Sequence, residues 1–194
     1  MTAFNQMEFR VLDWVVQTFR SDMLDFFAPK VSFLANAGWI WILIALLFMI
    51  RKSTRKTGLA VALALVFSFV VADILLKPLV ARARPFEIKA VARLLIPVPN
   101  GFSFPSGHAQ ASFAAASAIH RKWKAAGAVA LLLAALISFS RLYLYVHFPG
   151  DVLAGMVIGY TLGCMADAIV SGLRYRYNAK RRKGRSGRRV RARS

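Results

Sequence analysis

Five stretches of this chain are apolar over the length of a membrane-crossing helix, and that limits its fold more than any other feature. Residues 31–50 contain no Asp, Glu, Lys or Arg, residues 57–76 contain only Asp73, and residues 102–120, rich in Ala and Ser, contain none. Residues 125–145 contain only Arg141, near the end, and residues 151–173 contain Asp151 at the start and Asp167 further on. Inside a bilayer each such segment has to satisfy its own backbone polar groups, so it folds as a helix. Pro, Gly and charge punctuate helix-length runs rather than alternating ones, and no strand pattern competes. The expected fold class is all-α, a polytopic membrane bundle with these five runs as its transmembrane helices.

Charge is segregated from the apolar runs. The 194 residues suit one domain, and they are 58% hydrophobic with a mean hydropathy of +0.52, yet the net charge is +19. Eleven of the 27 Lys and Arg residues follow Leu173. The tail 174–194, nearly free of apolar residues, is expected to be disordered and cytoplasmic, attracted to anionic headgroups rather than to nucleic acid. Residues 1–30 differ again: Phe9, Leu12, Val15, Val16 and Phe19 recur at helical spacing with Arg10, Asp13 and Arg20 between them. That pattern predicts an amphipathic helix in the membrane interface, a short second piece at residues 23–27, and a break at Pro29. The chain thus divides into an interfacial segment 1–30, a transmembrane domain 31–173 and a basic tail 174–194. Glu8, Arg10 and Asp13 fall where a cleavable leader would carry its apolar core, so no leader is expected. Cys164, inside an apolar run, reads as a small buried hydrophobe.

Three polar clusters interrupt the apolar sequence. The first is Lys77-Pro-Leu-Val-Ala-Arg-Ala-Arg84-Pro85, ending the second run. The second is Pro105-Ser106-Gly107-His108, opening the third, and the last runs from Ser140-Arg141 through His147 to Asp151, between the fourth and fifth. Ends of even spans and starts of odd spans face the same side, so all three clusters meet at one membrane surface. The basic loops (Arg51, Lys52, Arg55 and Lys56; Arg121, Lys122 and Lys124) and the tail lie on the other. The excess of Lys and Arg there makes that other side the cytoplasm, although the first cluster's own loop also carries Lys77, Arg82, Arg84, Lys89 and Arg93.

Such a surface suits phosphate chemistry. Lys77, Arg84 and Arg141 are cations for phosphate oxygens. Ser106 opens a helix after a proline, so the Gly107 and His108 amides are expected at a helix N-terminus, where anions bind. A histidine can attack phosphorus and another can protonate the leaving oxygen. A nucleophilic imidazole needs a carboxylate behind it, and Asp151 is the available one near His147. The assignment is therefore His147 as nucleophile, Asp151 as its orienting partner, and His108 as general acid. Lys77, Arg84, Ser106, Gly107 and Arg141 are assigned to the phosphate. No Asp, Glu and His cluster has metal-ligand spacing, so neither a metal nor another cofactor is expected.

Each residue also has a purely structural reading. Ser106 and Asp151 suit helix N-caps, Arg141 can pair with Asp151, and Asp73 can pair with Lys77 four residues on. Asp167 is expected to neutralise cytoplasmic cations, and His120 to be structural. Those readings leave unexplained why so many cations gather without matching carboxylates.

The motifs resemble those of the type 2 phosphatidic acid phosphatase superfamily. Lys77 precedes Arg84-Pro85 by the family's spacing, Pro105-Ser106-Gly107-His108 matches its second motif, and Ser140-Arg141, His147 and Asp151 match its third. The resemblance implies the roles given above, an all-helical core and metal-independent hydrolysis. Membrane members of that family commonly have six transmembrane helices, against the five apolar runs here. Among bacterial members, the chain is similar to undecaprenyl diphosphate and phosphatidylglycerophosphate phosphatases. The expected partner is thus a lipid phosphate or diphosphate in a bacterial plasma membrane, with undecaprenyl diphosphate favoured because the site faces outside. Phosphatidate hydrolysis, phosphate transfer to another acceptor, and a non-catalytic lipid-binding or transport role are the alternatives.

Overall fold

The computed structural model describes residues 3–89 and 94–191, with side chains described for 5–89 and 94–173. Arg93, the ends of the chain and the side chains of the basic tail lie outside them. Among the described residues every regular element is helical. In chain order these are α1 (Ala3–Phe19), α2 (Asp22–Leu34), a short turn Asn36–Gly38, α3 (Trp39–Ile50) and α4 (Arg55–Phe69). A π-helical stretch Val70–Leu76 then leads into α5 (Lys77–Val80), followed by α6 (Pro85–Ile88), α7 (Gly107–His120), α8 (Lys124–Tyr143) and α9 (Pro149–Arg191).

Three of these stretches are long and apolar enough to cross a membrane: Arg55–Ile88, Lys124–Tyr143 and Pro149–Leu173. The bent pair Asp22–Leu34 and Asn36–Ile50, which meet at 49°, makes a fourth where the two are one span, so the described residues hold three or four spans against the five expected. Two expectations change here. Pro29 does not break its helix; α2 runs through it for 13 residues, capped by Ser21, whose Oγ accepts the Leu24 amide. The break falls instead at Asn36–Gly38, where Ala37 (φ 49°) and Gly38 (φ 73°) both take left-handed backbone and turn the chain before α3. The run 102–120 also forms a shorter helix than its hydropathy suggests. Only the 14 residues of α7 are helical, and the stretch before them is irregular because it belongs to the polar site.

α7 is the central element, packed by α4, α8 and α9. Its buried residues, among them Ala109, Ser112, Ala114 to Ala116, Ser117 and Ala118, are small, so neighbours approach closely. On α9, Gly155, Gly159 and Gly163 recur every fourth residue on the face that meets α7. A Cβ at Gly155 would lie 2.7 Å from the Ser106 carbonyl, and Cβ atoms at Gly159 and Gly163 would collide with the Gln110 and Ala114 carbonyls. This is membrane packing, in which small residues let backbones touch. Polar cross-links add to it: Trp41 Nε1 donates to Ser112 Oγ at 2.9 Å and Gln110 Nε2 to the Ser68 carbonyl at 3.0 Å. Large apolar side chains such as Leu43, Leu47, Val129, Leu132, Leu153 and Val157 point outward, as on a lipid-facing surface.

The apolar stripe of α1 meets protein. Phe9 and Leu12 are buried against Tyr145 and Phe148, in the loop between α8 and α9. At the other end of the chain, the α9 backbone stays helical through Arg191 where disorder is expected. Lys and Arg are good helix formers, and the preceding span supplies the nucleus. Cys164 is half-buried rather than buried. Asp167 lies 3.5 Å from Arg121 and 3.6 Å from Lys122, as expected of a partner for those cations.

Candidate active site

His147 lies in the loop that joins α8 to α9 and is 2% exposed. Its Nδ1 is 2.8 Å from the Ser103 carbonyl. A carbonyl only accepts, so Nδ1 carries the proton and Nε2 keeps the lone pair. Nε2 faces Arg84 Nη1 at 3.3 Å. Burial, with Arg141 and Arg84 nearby, pulls the imidazole down to about 4 against the raising effect of Asp151. At neutral pH the ring is therefore uncharged, and its Nε2 lone pair accepts from Arg84 Nη1.

Asp151 stands in the first turn of α9, fully buried. Oδ2 accepts Ser103 Oγ at 2.5 Å and the Phe148 amide at 2.9 Å, and Oδ1 accepts Arg82 Nη1 at 2.6 Å. Oδ2 is 3.8 Å from His147 Nδ1. The sequence reading has Asp151 orient the ring directly. In the structure the ring's short hydrogen bond goes to the Ser103 backbone, which Asp151 grips through the Ser103 hydroxyl. The helix-cap reading of Asp151 holds in part, because it accepts the amide that precedes α9. The suggested Arg141 to Asp151 pair is not formed: Arg82 takes the carboxylate, and Arg141 Nη1 bonds Ser32 Oγ instead.

Arg84 is held from several sides. Pro85 favours extended backbone at Arg84 (φ −81°, ψ 156°), and the Arg84 amide donates to Glu87 Oε2 at 2.7 Å. The guanidinium donates to the carbonyls of Gly101 at 2.9 Å, Asn100 at 3.1 Å and Val146 at 3.0 Å, which fixes it beside His147. Lys77 pairs with Asp73 at 2.5 Å, as its structural reading expects, and also reaches the α7 N-terminus, where a Cβ at Gly107 would sit 3.6 Å from its Nζ. The π-helical stretch ends there, with the Lys77 amide bonding back to the Ala72 carbonyl.

Ser106 precedes α7 but makes no side-chain cap bond. Its Oγ is buried without a partner, as is Arg141 Nε. Both are donors open to an acceptor such as a phosphoryl oxygen. The Gly107 and His108 amides stand at the positive end of a 14-residue helix. The His108 ring lies within electrostatic reach of Lys77, Arg84, Arg141 and His147. Its Nε2 is 2.9 Å from Asn36 Oδ1, so this nitrogen carries a proton. All eight residues singled out in the sequence thus belong to one neighbourhood.

Four further residues were not singled out: Ser103, Arg82, Glu8 and Asn36. In the sequence Arg82 reads only as loop charge, and Ser103 lies three residues before Ser106 with no motif to mark it. Two apolar grooves meet at His108. One, of about 650 Å³, runs between α3 and α4 past Ile42, Leu46, Leu65 and Val66 to Lys77, Gly107 and His108. The other, of about 820 Å³, passes Phe27, Phe33, Leu95 and Ile96 to reach His108 and Arg141.

A cationic cup stands at the mouth of apolar grooves, on a bundle that includes membrane-length helices. Residues 55–175 match the family model described as the PAP2 superfamily, and the chain belongs to that superfamily. It is 34% identical over 142 residues to an undecaprenyl-diphosphatase of Sulfolobus acidocaldarius, covering 72% of this chain and 68% of the relative. It is 35% identical over 133 residues to a decaprenylphosphoryl-5-phosphoribose phosphatase of Mycobacterium tuberculosis, covering 68% and 72%. The crystal structure of Aquifex aeolicus LpxE superposes with a TM-score of 0.72 at 27% identity, over 81% of this chain and 93% of that one. The protein is thus an integral membrane member of a lipid phosphatase family.

Proposed function

We propose that this protein hydrolyses a polyprenyl diphosphate, undecaprenyl diphosphate first among candidates, through a phosphohistidine and without a metal. His147 Nε2 attacks the terminal phosphorus, and the bond from phosphorus to the bridging oxygen breaks. His108, doubly protonated as an imidazolium once the anionic phosphate is bound beside it, passes its Nε2 proton to that oxygen, so lipid monophosphate leaves and the ring becomes neutral. Neutral His108 then takes a proton from water at Nε2 as the water attacks the phosphohistidine, and is an imidazolium again. Phosphate departs and His147 recovers its lone pair. Lys77, Arg84, Arg141, Ser106 and the Gly107 amide hold the phosphoryl oxygens as charge spreads in the five-coordinate transition state.

The single observation that carries this reading is the pair of buried, unpartnered donors, Ser106 Oγ and Arg141 Nε, in the pocket of a neutral His147. The apolar grooves that end at His108 suit a long hydrocarbon chain. The polyprenyl preference draws on the two relatives, whose names specify undecaprenyl and decaprenyl lipids. Among the described residues no group of three His, Cys, Asp or Glu side chains has ligand geometry, which favours cationic side chains over a metal for charge stabilisation.

The test is phosphate release by the purified protein, in chelator, from undecaprenyl diphosphate, phosphatidylglycerophosphate and phosphatidate. Fastest release from the polyprenyl diphosphate is expected. Faster turnover of a glycerophospholipid would overturn the substrate, and dependence on added divalent ion would overturn the metal-free chemistry.

A further inference from the structure

Glu8 is a buried carboxylate on a helix that the amphipathic pattern assigns to the membrane surface; its side chain is 5% exposed. Burying a carboxylate is costly unless it is paired, and Glu8 is paired twice. Oε2 bonds Arg82 Nη2, and Oε1 accepts the Gly150 amide at 2.9 Å. The other arm of Arg82 donates to Asp151 Oδ1 at 2.6 Å. The Arg82 guanidinium lies 4.0 Å over the Phe148 ring, and Phe9, next to Glu8, meets that ring edge-on at 5.1 Å. A continuous relay therefore runs from α1 through Arg82 to the carboxylate behind His147.

The charges explain why two carboxylates are needed. Arg82 alone would neutralise Asp151 and weaken its support for a positive His147. With Glu8 present, Arg82 is shared and the triad keeps one net negative charge. Glu8 also fixes the turn between His147 and Asp151 through the Gly150 amide. We propose that Glu8 is a positioning residue for the phosphatase reaction, holding Arg82 and the Gly150 turn so that Asp151 and His147 keep their working geometry, which makes α1 part of the active site. The proposal rests on the function proposed above.

The test uses full-length protein with Glu8→Gln, Arg82→Gln, and the pair Glu8→Gln with Arg82→Met. The first removes charge and keeps shape. The pair removes Glu8 and Arg82 as charges together, so neither is left without the other, while Asp151 keeps its Ser103 and Phe148 donors. Expected for Glu8→Gln is a kcat about tenfold lower, with KM within about twofold. Expected for the pair is a thermal midpoint above that of Arg82→Gln, in which Glu8 and Asp151 both lose their shared cation, while kcat stays low. Recovery of kcat together with the midpoint, or a Glu8→Gln kcat equal to the parent's, would overturn the proposal.

A second readout needs no substrate. The chain has three histidines, so nitrogen-15 resonances of His147 are assignable with His147→Gln. Arg84, Arg141, His108 and Asp151 face this ring and are unchanged in all variants. Its titration midpoint is expected to move down in Glu8→Gln and up in Arg82→Gln. Movement in the same direction, or none, would overturn the relay. If the parent releases no phosphate, the functional reading fails while the relay is still decided by these shifts.

Discussion

His147 holds its proton on Nδ1, because the Ser103 carbonyl can only accept, and its unprotonated Nε2 accepts from Arg84. The imidazole is pulled down to about 4, chiefly by burial. Protonation destroys the nucleophile, so activity is lost as pH falls through that value rather than through the ordinary histidine value. The acid limb of kcat/KM, which reports free enzyme, is expected near pH 4; a limb at the unperturbed value would place a different group in control. Ser106 gives a second residue-level prediction. Its Oγ bonds nothing in the structure, so Ser106→Ala is expected to leave the thermal midpoint within the range of a neutral surface change, about 0.5 kcal/mol. If the hydroxyl meets phosphate in the transition state, kcat falls by about a hundredfold. A helix-cap role would give the opposite pattern, a loss of about 1 kcal/mol with activity kept.

Helix packing turns on the contact between α7 and α9. A Cβ at Gly159 would collide with the Gln110 backbone, whereas at Gly172, further along α9, it would meet nothing within 4 Å. Gly159→Ala is expected to cost about 1–3 kcal/mol of stability, as overpacking does. Gly172→Ala is expected to be neutral or to stabilise by up to about 1 kcal/mol. Thermal midpoints of the two purified variants check this, and equal midpoints would remove the close approach from the account. The helical class and three of the five expected spans were legible because apolar length dictates them. The kink at Asn36–Gly38 was not, since Ala37 in left-handed backbone has no sequence signal, and the π-helical stretch before Lys77 is equally silent. The run 102–120 reads as a longer helix than it forms because hydropathy does not distinguish a helix from an irregular apolar segment that delivers Ser103 and Ser106. In the site, residues in tight motifs were legible. Arg82, Glu8 and Asn36 were not, because their partners lie 69, 74 and 72 residues away.

At the scale of the whole molecule, the charge distribution sets the orientation we propose. The loop at residues 51–56, the loop at 121–124 and the basic tail belong on the cytoplasmic side, with the catalytic loops outside. Val98 and Lys52 are exposed in loops on the two proposed sides. With Cys164→Ala in place, an impermeant thiol reagent on intact cells is expected to label Val98→Cys and spare Lys52→Cys; the reverse would put the site in the cytoplasm. The central claim is the covalent intermediate on His147. The most direct measurement is to mix purified protein, in chelator, with undecaprenyl diphosphate radiolabelled at the terminal phosphate, quench in alkali, and map the label. The account predicts acid-labile, alkali-stable label on the peptide containing His147, absent from His147→Gln. Phosphate release at full rate with no labelled protein, or label that survives in His147→Gln, would contradict it.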